Sequence, residues 1–255
     1  MFLRSKILAK SLTLILQNSS LSYNMLTETQ RTQLESSLGV VFLDPALLAQ
    51  ALTHRSYLNE NPKWQLDHNE RLEFLGDAVL ELAVTEYLYE HYPNPEGELT
   101  NWRAALVNYQ MMAKIAQDLK VNDYLYLSRG ESRDTGRARQ VILANAMEAI
   151  IGAIYLDRGY DISFEFIERT ILKELPAILK DKSYKDPKST FQEKAQDRVG
   201  ITPAYEVLEQ WGPDHARQFR IGVFLGREKI ADGVGPSKQD AQQAAAQAAL
   251  DKKKW

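Results

Sequence analysis

The sequence predicts an all-α domain followed by a small α+β domain with the order α-β-β-β-α. Three observations carry this. Between Thr27 and about Lys180, apolar residues recur at three- and four-residue spacing with few β-branched alternations, the period of amphipathic helices. The stretch Asp181-Lys-Ser-Tyr-Lys-Asp186 is charged and has no apolar period, as a linker would be. Beyond it, Tyr205–Trp211, Gln218–Phe224 and Arg227–Ala231 alternate in the manner of strands, with helical patterns on either side. The expected boundaries are an N-terminal extension over 1–25, a helical domain over 26–180, a linker over 181–186 and a second domain over 187–255. A chain of 255 residues that is 44% hydrophobic can fill two such cores.

Taken in order, residues 1–24 hold three basic residues (Arg4, Lys6, Lys10), no acidic one and the short apolar run Leu12–Leu16. The run is short for a secretory core and no Ala-x-Ala pattern follows, which leaves an extension before an internal start at Met25, or a transit peptide. Asp44-Pro45 opens a helix by cap and proline, and Asp67-His68-Asn69-Glu70 reads as a capping box opening a longer one. One helix follows Thr100 through Trp102–Leu119. Ser128–Gln140, polar and holding Gly130, Gly136 and four arginines, reads as an exposed loop. The next helix runs from Val141 to about Asp157, with Gly159 as its stop. In the second domain Asp186-Pro187 caps a helix to about Val199, and Ser237–Lys253 is an alanine-rich helix.

The formal charge of −3 argues against a histone-like or simple polybasic binder. The charge is uneven, however: +3 over residues 1–25, −7 over 26–185 and +1 over 186–255. Cysteine is absent, which excludes thiol catalysis, cysteine-ligated zinc and disulfides, and fits a reducing compartment. No apolar run approaches the ~18 residues that span a bilayer. The expectation is a cytoplasmic chain without membrane contact, or an organellar one if residues 1–24 are a transit peptide.

The acidity is patterned. Glu70, Glu73 and Asp77 stand three and four apart along one helical face, where like charges repel, while Leu72, Leu75, Val79 and Leu82 occupy the other side. Such a stripe is either a solvated face or a site for a hard cation such as Mg²⁺, which takes oxygen ligands. The helix from Val141 is apolar nearly all round, yet Asn145 and Glu148 sit three apart in its middle. A carboxylate there needs a partner to offset its desolvation: an arginine, or a metal shared with Glu73 and Asp77. Phe74 faces away from Glu73 and Asp77 and reads, on pattern alone, as a core side chain.

The run Asn69-Glu-Arg-Leu-Glu-Phe-Leu-Gly-Asp-Ala-Val79 resembles the defining motif of ribonuclease III, a family of double-stranded-RNA endonucleases. Thr53-His-Arg-Ser56, Glu96-Gly97 with Leu99-Thr100 and Arg103-Ala104, and Ile142-Leu-Ala-Asn-Ala-Met-Glu-Ala-Ile-Ile-Gly-Ala153 agree with it, and the resemblance covers about residues 30 to 250. It implies that Asp77 and Glu148 are catalytic, that Glu73, Asp77, Asn145 and Glu148 hold the metal, and that Glu70 and Glu96 line the cleavage valley. It implies hydrolysis by a Mg²⁺-activated water, with Mn²⁺ as a substitute and no organic cofactor, leaving 5′-phosphate and 3′-hydroxyl ends. It further implies a homodimer, packed across Phe74, that processes precursor ribosomal RNA and structured messenger RNA. Asn145 departs from the family's usual aspartate, which removes one negative charge. The expectation is weaker metal binding with activity retained, the alternative being a non-cleaving double-stranded-RNA-binding regulator.

The last segment resembles a double-stranded RNA-binding domain in Pro187-Lys-Ser-Thr-Phe-Gln-Glu193, in Thr202-Pro203-Ala-Tyr205 and in its final alanine-rich helix. Such a module reads A-form shape through 2′-hydroxyls and phosphates. The turn Gly233-Val-Gly-Pro236 leads into Ser237, an N-cap, with Lys238 in the first turn, so backbone N–H groups, dipole and cation converge as a phosphate site. His215, on a loop between strands, would reach a groove, and Thr190 and Gln192 would meet 2′-hydroxyls. Singly, the same residues also read as ordinary capping, a turn histidine and a polar helix face. Gln239 and Gln242 stand where the family often has basic residues, so fewer phosphate charges are met.

Overall fold

The computed structural model describes residues 26–181, 186–213 and 216–255. The expected extension over 1–25, most of the expected linker and His215 lie outside the described residues. The chain divides into two compact units between Leu175 and Pro176.

The first unit is helical. Helix α1 (Glu28–Leu38) opens on a capping box between Thr27 and Gln30 and ends at Gly39, whose φ of 61° suits the left-handed cap. Asp44 caps α2 (Pro45–Ala51), accepting from the Ala46 N–H, and His54 caps α3 (Arg55–Glu60). Then come α4 (Glu70–His91), α5 (Glu96–Val107), α6 (Tyr109–Asp118), α7 (Arg137–Arg158) and α8 (Tyr160–Thr170), while α9 (Leu175–Asp181) begins at the boundary and belongs to the second unit from Pro176 on. Eleven residues of α7 are buried, and it packs against α4 most heavily, then against α6, α8 and α2. Among the described helices α7 alone is long and apolar enough to cross a membrane by length and composition, although Asn145 and Glu148 interrupt its apolar run. Its apolar side chains are used in the core of this unit.

Three local expectations are corrected. The helix read through Trp102–Leu119 is two helices, because Asn108 leaves the helical region (φ −72°, ψ 158°) and its Oδ1 caps α6 by accepting from the Met111 N–H. The Ser128–Gln140 segment is not loop throughout: α7 already begins at Arg137. The capping box at 67–70 does not form. Asn69 makes no side-chain cap; its amide instead donates to the Ala51 carbonyl at 3.1 Å, and its own N–H donates to the Thr53 carbonyl at 2.9 Å. The start of α4 is thereby tied to the end of α2 rather than closed on itself.

After α9, the second unit runs α10 (Pro187–Val199), β1 (Ala204–Trp211), β2 (Gln218–Leu225), β3 (Glu228–Gly235) and α11 (Lys238–Lys253). The strands form an antiparallel sheet in the order β1-β2-β3, with Ile221 opposite Val207 on one side and Gly233 on the other. A register shift between Val207 and Glu209 marks a bulge in β1. Phe191, Val223, Leu225, Ile230, Ala245, Ala249 and Leu250 fill the core, where Phe191 stacks on Trp255 with centroids 5.5 Å apart. The third strand is longer than expected and absorbs the predicted turn. A Cβ on Gly233 would come within 2.2 Å of the Ala245 nitrogen, and one on Gly235 within 2.6 Å of the Ala241 nitrogen. These glycines are therefore the seat on which α11 lies.

Candidate active site

The acidic stripe and the apolar helix meet through two glycines. A Cβ on Gly76 would stand 1.8 Å from the Glu148 carbonyl oxygen, and one on Gly152 2.2 Å from the Leu72 carbonyl oxygen. Only residues without a side chain let the α4 and α7 backbones approach this closely. The contact brings Glu73 and Asp77 of α4 to Asn145 and Glu148 of α7. Neither glycine stands out in the sequence; the available signal is a glycine inside each of two strongly periodic helices.

The charges in this group act on one another. Burial, followed by the Asp77 and Glu73 carboxylates, pushes the Glu148 carboxyl up to about 7. Glu73 is also raised, by partial burial and by Glu70 and Asp77, against a hydrogen bond donated by the Asn145 amide. Glu70 and Glu73 lie in the first turn of α4, where the positive end of the helix dipole favours carboxylates, yet burial and the neighbouring carboxylates outweigh it for Glu73. Among the described residues no arginine offsets Glu148; the charges that act on it are both negative. The donors are hard oxygens deficient in positive charge, a set suited to a hard cation. Among the described residues, no three acidic or imidazole side chains are already closed around an ion position.

The remaining predicted residues separate. Glu70 faces a guanidinium and an imidazole: its Oε1 lies 3.3 Å from Arg55 Nη1 and its Oε2 3.8 Å from His68 Nδ1. Glu96 is the exposed first residue of α5 and is not among the charges that shift Glu73 or Glu148. Phe74 is 82% exposed, so the core reading is wrong. Leu82 and Tyr89, at 57% and 79%, are exposed on the same helix, and 3.6-residue geometry places the three within an arc of about 80°.

Residues 44–175 match the family description "Ribonuclease-III-like" and residues 187–253 match "Double-stranded RNA binding motif". The chain belongs to the ribonuclease III family. It is 44% identical over 222 residues to Ribonuclease 3 of a Nitratiruptor species, covering 87% of this chain and 96% of that one. To Ribonuclease 3 of Moorella thermoacetica it is 47% identical over 201 residues, covering 78% and 85%. The nuclease domain of ribonuclease III from Campylobacter jejuni superposes with a TM-score of 0.51 at 44% identity, covering 56% of this chain and 97% of that one. A ribonuclease III is a phosphodiester hydrolase that cuts double-stranded RNA internally, and its nuclease depends on metal.

In the ribonuclease III's second unit, Ser237 caps α11, its Oγ accepting from the Asp240 N–H, and Lys238 is exposed beside it. Thr190 is half-buried and Gln192 exposed; two positions apart on α10, they are about 200° apart around the helix and do not share a face. Gln242 accepts a hydrogen bond from Lys188 Nζ at 2.8 Å, and the same ammonium lies 5.2 Å from the centre of the Tyr205 ring. An amide is tolerated at 242 because a cation there would face Lys188.

Proposed function

We propose that this ribonuclease III acts as a homodimer in the cytoplasm, that it uses Mg²⁺ (or Mn²⁺) at Glu73, Asp77, Asn145 and Glu148, and that it leaves 5′-phosphate and 3′-hydroxyl ends on structured precursor RNAs, ribosomal and messenger. The observation that carries the reading is the Glu148 carboxyl, raised to about 7 by burial and by Asp77 and Glu73, with no cationic partner among the described residues. A bound divalent ion lowers the pKa of its water and stabilises charge at the attacked phosphate. The chain's own residues do the rest. Asp77 and Glu148 hold the reacting centre, Asn145 keeps the Glu73 carboxylate in place through its amide, and the Gly76–Gly152 contact fixes the distance between the two pairs. No side-chain nucleophile is required.

Assembly is supported by the exposed Phe74, Leu82 and Tyr89 on α4, and one Campylobacter jejuni structure concerns flexibility in a region of that nuclease domain involved in dimer formation. Burying Phe74 in an isologous interface counts twice, so Phe74→Ala is expected to weaken association by about 3–5 kcal/mol, read by sedimentation equilibrium. Catalysis is tested on a perfect RNA duplex with and without Mg²⁺, beside Glu148→Gln, with the ends identified by phosphatase and ligase sensitivity. Cutting by wild type only with the ion, and loss in the variant, is expected. Absence of ion-dependent cutting would favour the non-cleaving regulator.

A further inference from the structure

Glu70 and Arg55 form a contact that neither core packing nor the carboxylate group accounts for. Arg55 opens α3, Glu70 opens α4, and the two side chains meet at 3.3 Å. The backbones beneath them are fixed. The Thr53 carbonyl accepts the Asn69 N–H at 2.9 Å, the His54 N–H donates to the Tyr126 carbonyl at 3.1 Å, and Ser56 Oγ accepts from the Ser128 N–H at 3.1 Å. On this frame Arg55 is 70% exposed. A pair so open to water adds little to stability.

The pair lies next to the acidic group. Glu70 is near enough to Glu73 to push its carboxyl up, so the Arg55 cation stands at the edge of the same cluster. The contact engages one nitrogen of a planar fork of five N–H donors, and such a fork suits phosphate oxygens. Glu70 therefore differs from Glu73 and Asp77 in its partners: it faces Arg55 and His68, while the other two act on Glu148.

We propose that Arg55 binds a phosphate of the duplex beside the cleavage centre, and that Glu70 is a positioning residue that holds the guanidinium there. The proposal rests on the reading that RNA is cut at Glu73, Asp77 and Glu148. It places the cation that receives the RNA backbone on the rim of a valley whose other side chains repel it.

The test is steady-state cleavage of a labelled RNA duplex by the full chain, across a salt series, for Arg55→Gln, Arg55→Lys, Glu70→Gln and the double variant Arg55→Gln/Glu70→Gln. Arg55→Gln is expected to raise KM about fivefold with kcat changed by less than about twofold, as loss of one charge-assisted phosphate contact should. The slope of log KM against log salt should fall by about 0.9, one phosphate contact's share. Arg55→Lys should restore most of the loss. Glu70→Gln should raise KM about twofold, add nothing to Arg55→Gln, and leave the half-saturating Mg²⁺ concentration unchanged. An unchanged KM and slope in Arg55→Gln overturns the proposal. So does a Glu70→Gln effect that is additive and moves the Mg²⁺ requirement, or a loss in both Arg55 variants that follows thermal stability. Anisotropy of the same duplex in EDTA gives affinity without cutting. If wild type does not cleave, the catalytic reading fails, while that affinity arm still decides Arg55.

Discussion

Glu148 shows what the α4–α7 contact costs in electrostatics. Its carboxyl is partly withdrawn from water beside Asp77 and Glu73, so it holds its proton more tightly than an ordinary glutamate, and a bound cation would oppose that. Asn145 relieves the cluster by donating to Glu73. Asn145→Asp replaces that donor with a fourth negative charge, and two opposite effects follow. Without metal the variant should melt below wild type, because one more like charge joins a partly buried group. With metal, the added ligand charge should lower the half-saturating Mg²⁺ concentration for cleavage by roughly threefold or more. Coincident Mg²⁺ titrations for the two proteins would sink the charge argument. Asn145 and Glu148 are legible in the sequence because a polar pair inside an apolar helix has no packing reason to be there. The Arg55–Glu70 contact is not legible, since it joins the first residues of two helices whose meeting depends on where Asn69 sends its amide.

At the scale of elements, the crossing of α4 and α7 is the part most sensitive to a single atom. Alanine in place of Gly76 or Gly152 would gain at most ~1 kcal/mol of helix propensity. It would also drive a methyl into a backbone carbonyl that cannot rotate away. The clash wins: each substitution should destabilise the protein by about 2–3 kcal/mol in urea unfolding and should reduce cleavage further than stability alone accounts for, because Glu73 and Asp77 move away from Asn145 and Glu148. A variant of normal stability and activity would show that the helices are free to part. Asp186 offers a gentler test at the start of α10. Partial burial would raise its carboxyl, but hydrogen bonds from the Ser189 and Gln243 side chains and the Ser189 and Lys188 backbone N–H groups hold it below the ordinary 3.8. A carboxyl depressed in the fold stabilises it above that value and loses the contribution as pH falls through its own lower one. Asp186→Ala should therefore cost α10 about 1 kcal/mol of hydrogen-exchange protection at neutral pH and nearly nothing in strong acid. The helices of both units are readable from their periodicity, and the errors fall where side chains serve a neighbour. Asn108 breaks a helix that its flanking pattern continues, and Gly233 and Gly235, which look like a turn, are the flat part of a strand under α11.

For the whole molecule, the −3 charge conceals a segment of −7 over 26–185 and one of +1 over 186–255. Added cations weaken ordinary protein–RNA contacts, because they compete with the side chains that displace condensed counterions. A chain whose contacts came only from residues such as Lys238 would follow that rule. On the proposed reading a duplex also approaches Glu73, Asp77 and Glu148, and without metal those carboxylates would repel phosphate. Duplex affinity should then respond with opposite signs to two kinds of salt. Monovalent salt should weaken binding throughout, whereas millimolar Mg²⁺ at constant ionic strength should strengthen it, in Glu148→Gln so that cutting does not interfere. Replacing Gln239 by Lys should raise affinity and steepen the monovalent dependence by about 0.9 without altering the response to Mg²⁺. Anisotropy titrations separate the two terms. If Mg²⁺ weakens binding of the Glu148→Gln protein as monovalent salt does, the acidic segment is not part of the RNA surface, and the repulsion inferred from its charge plays no role in binding.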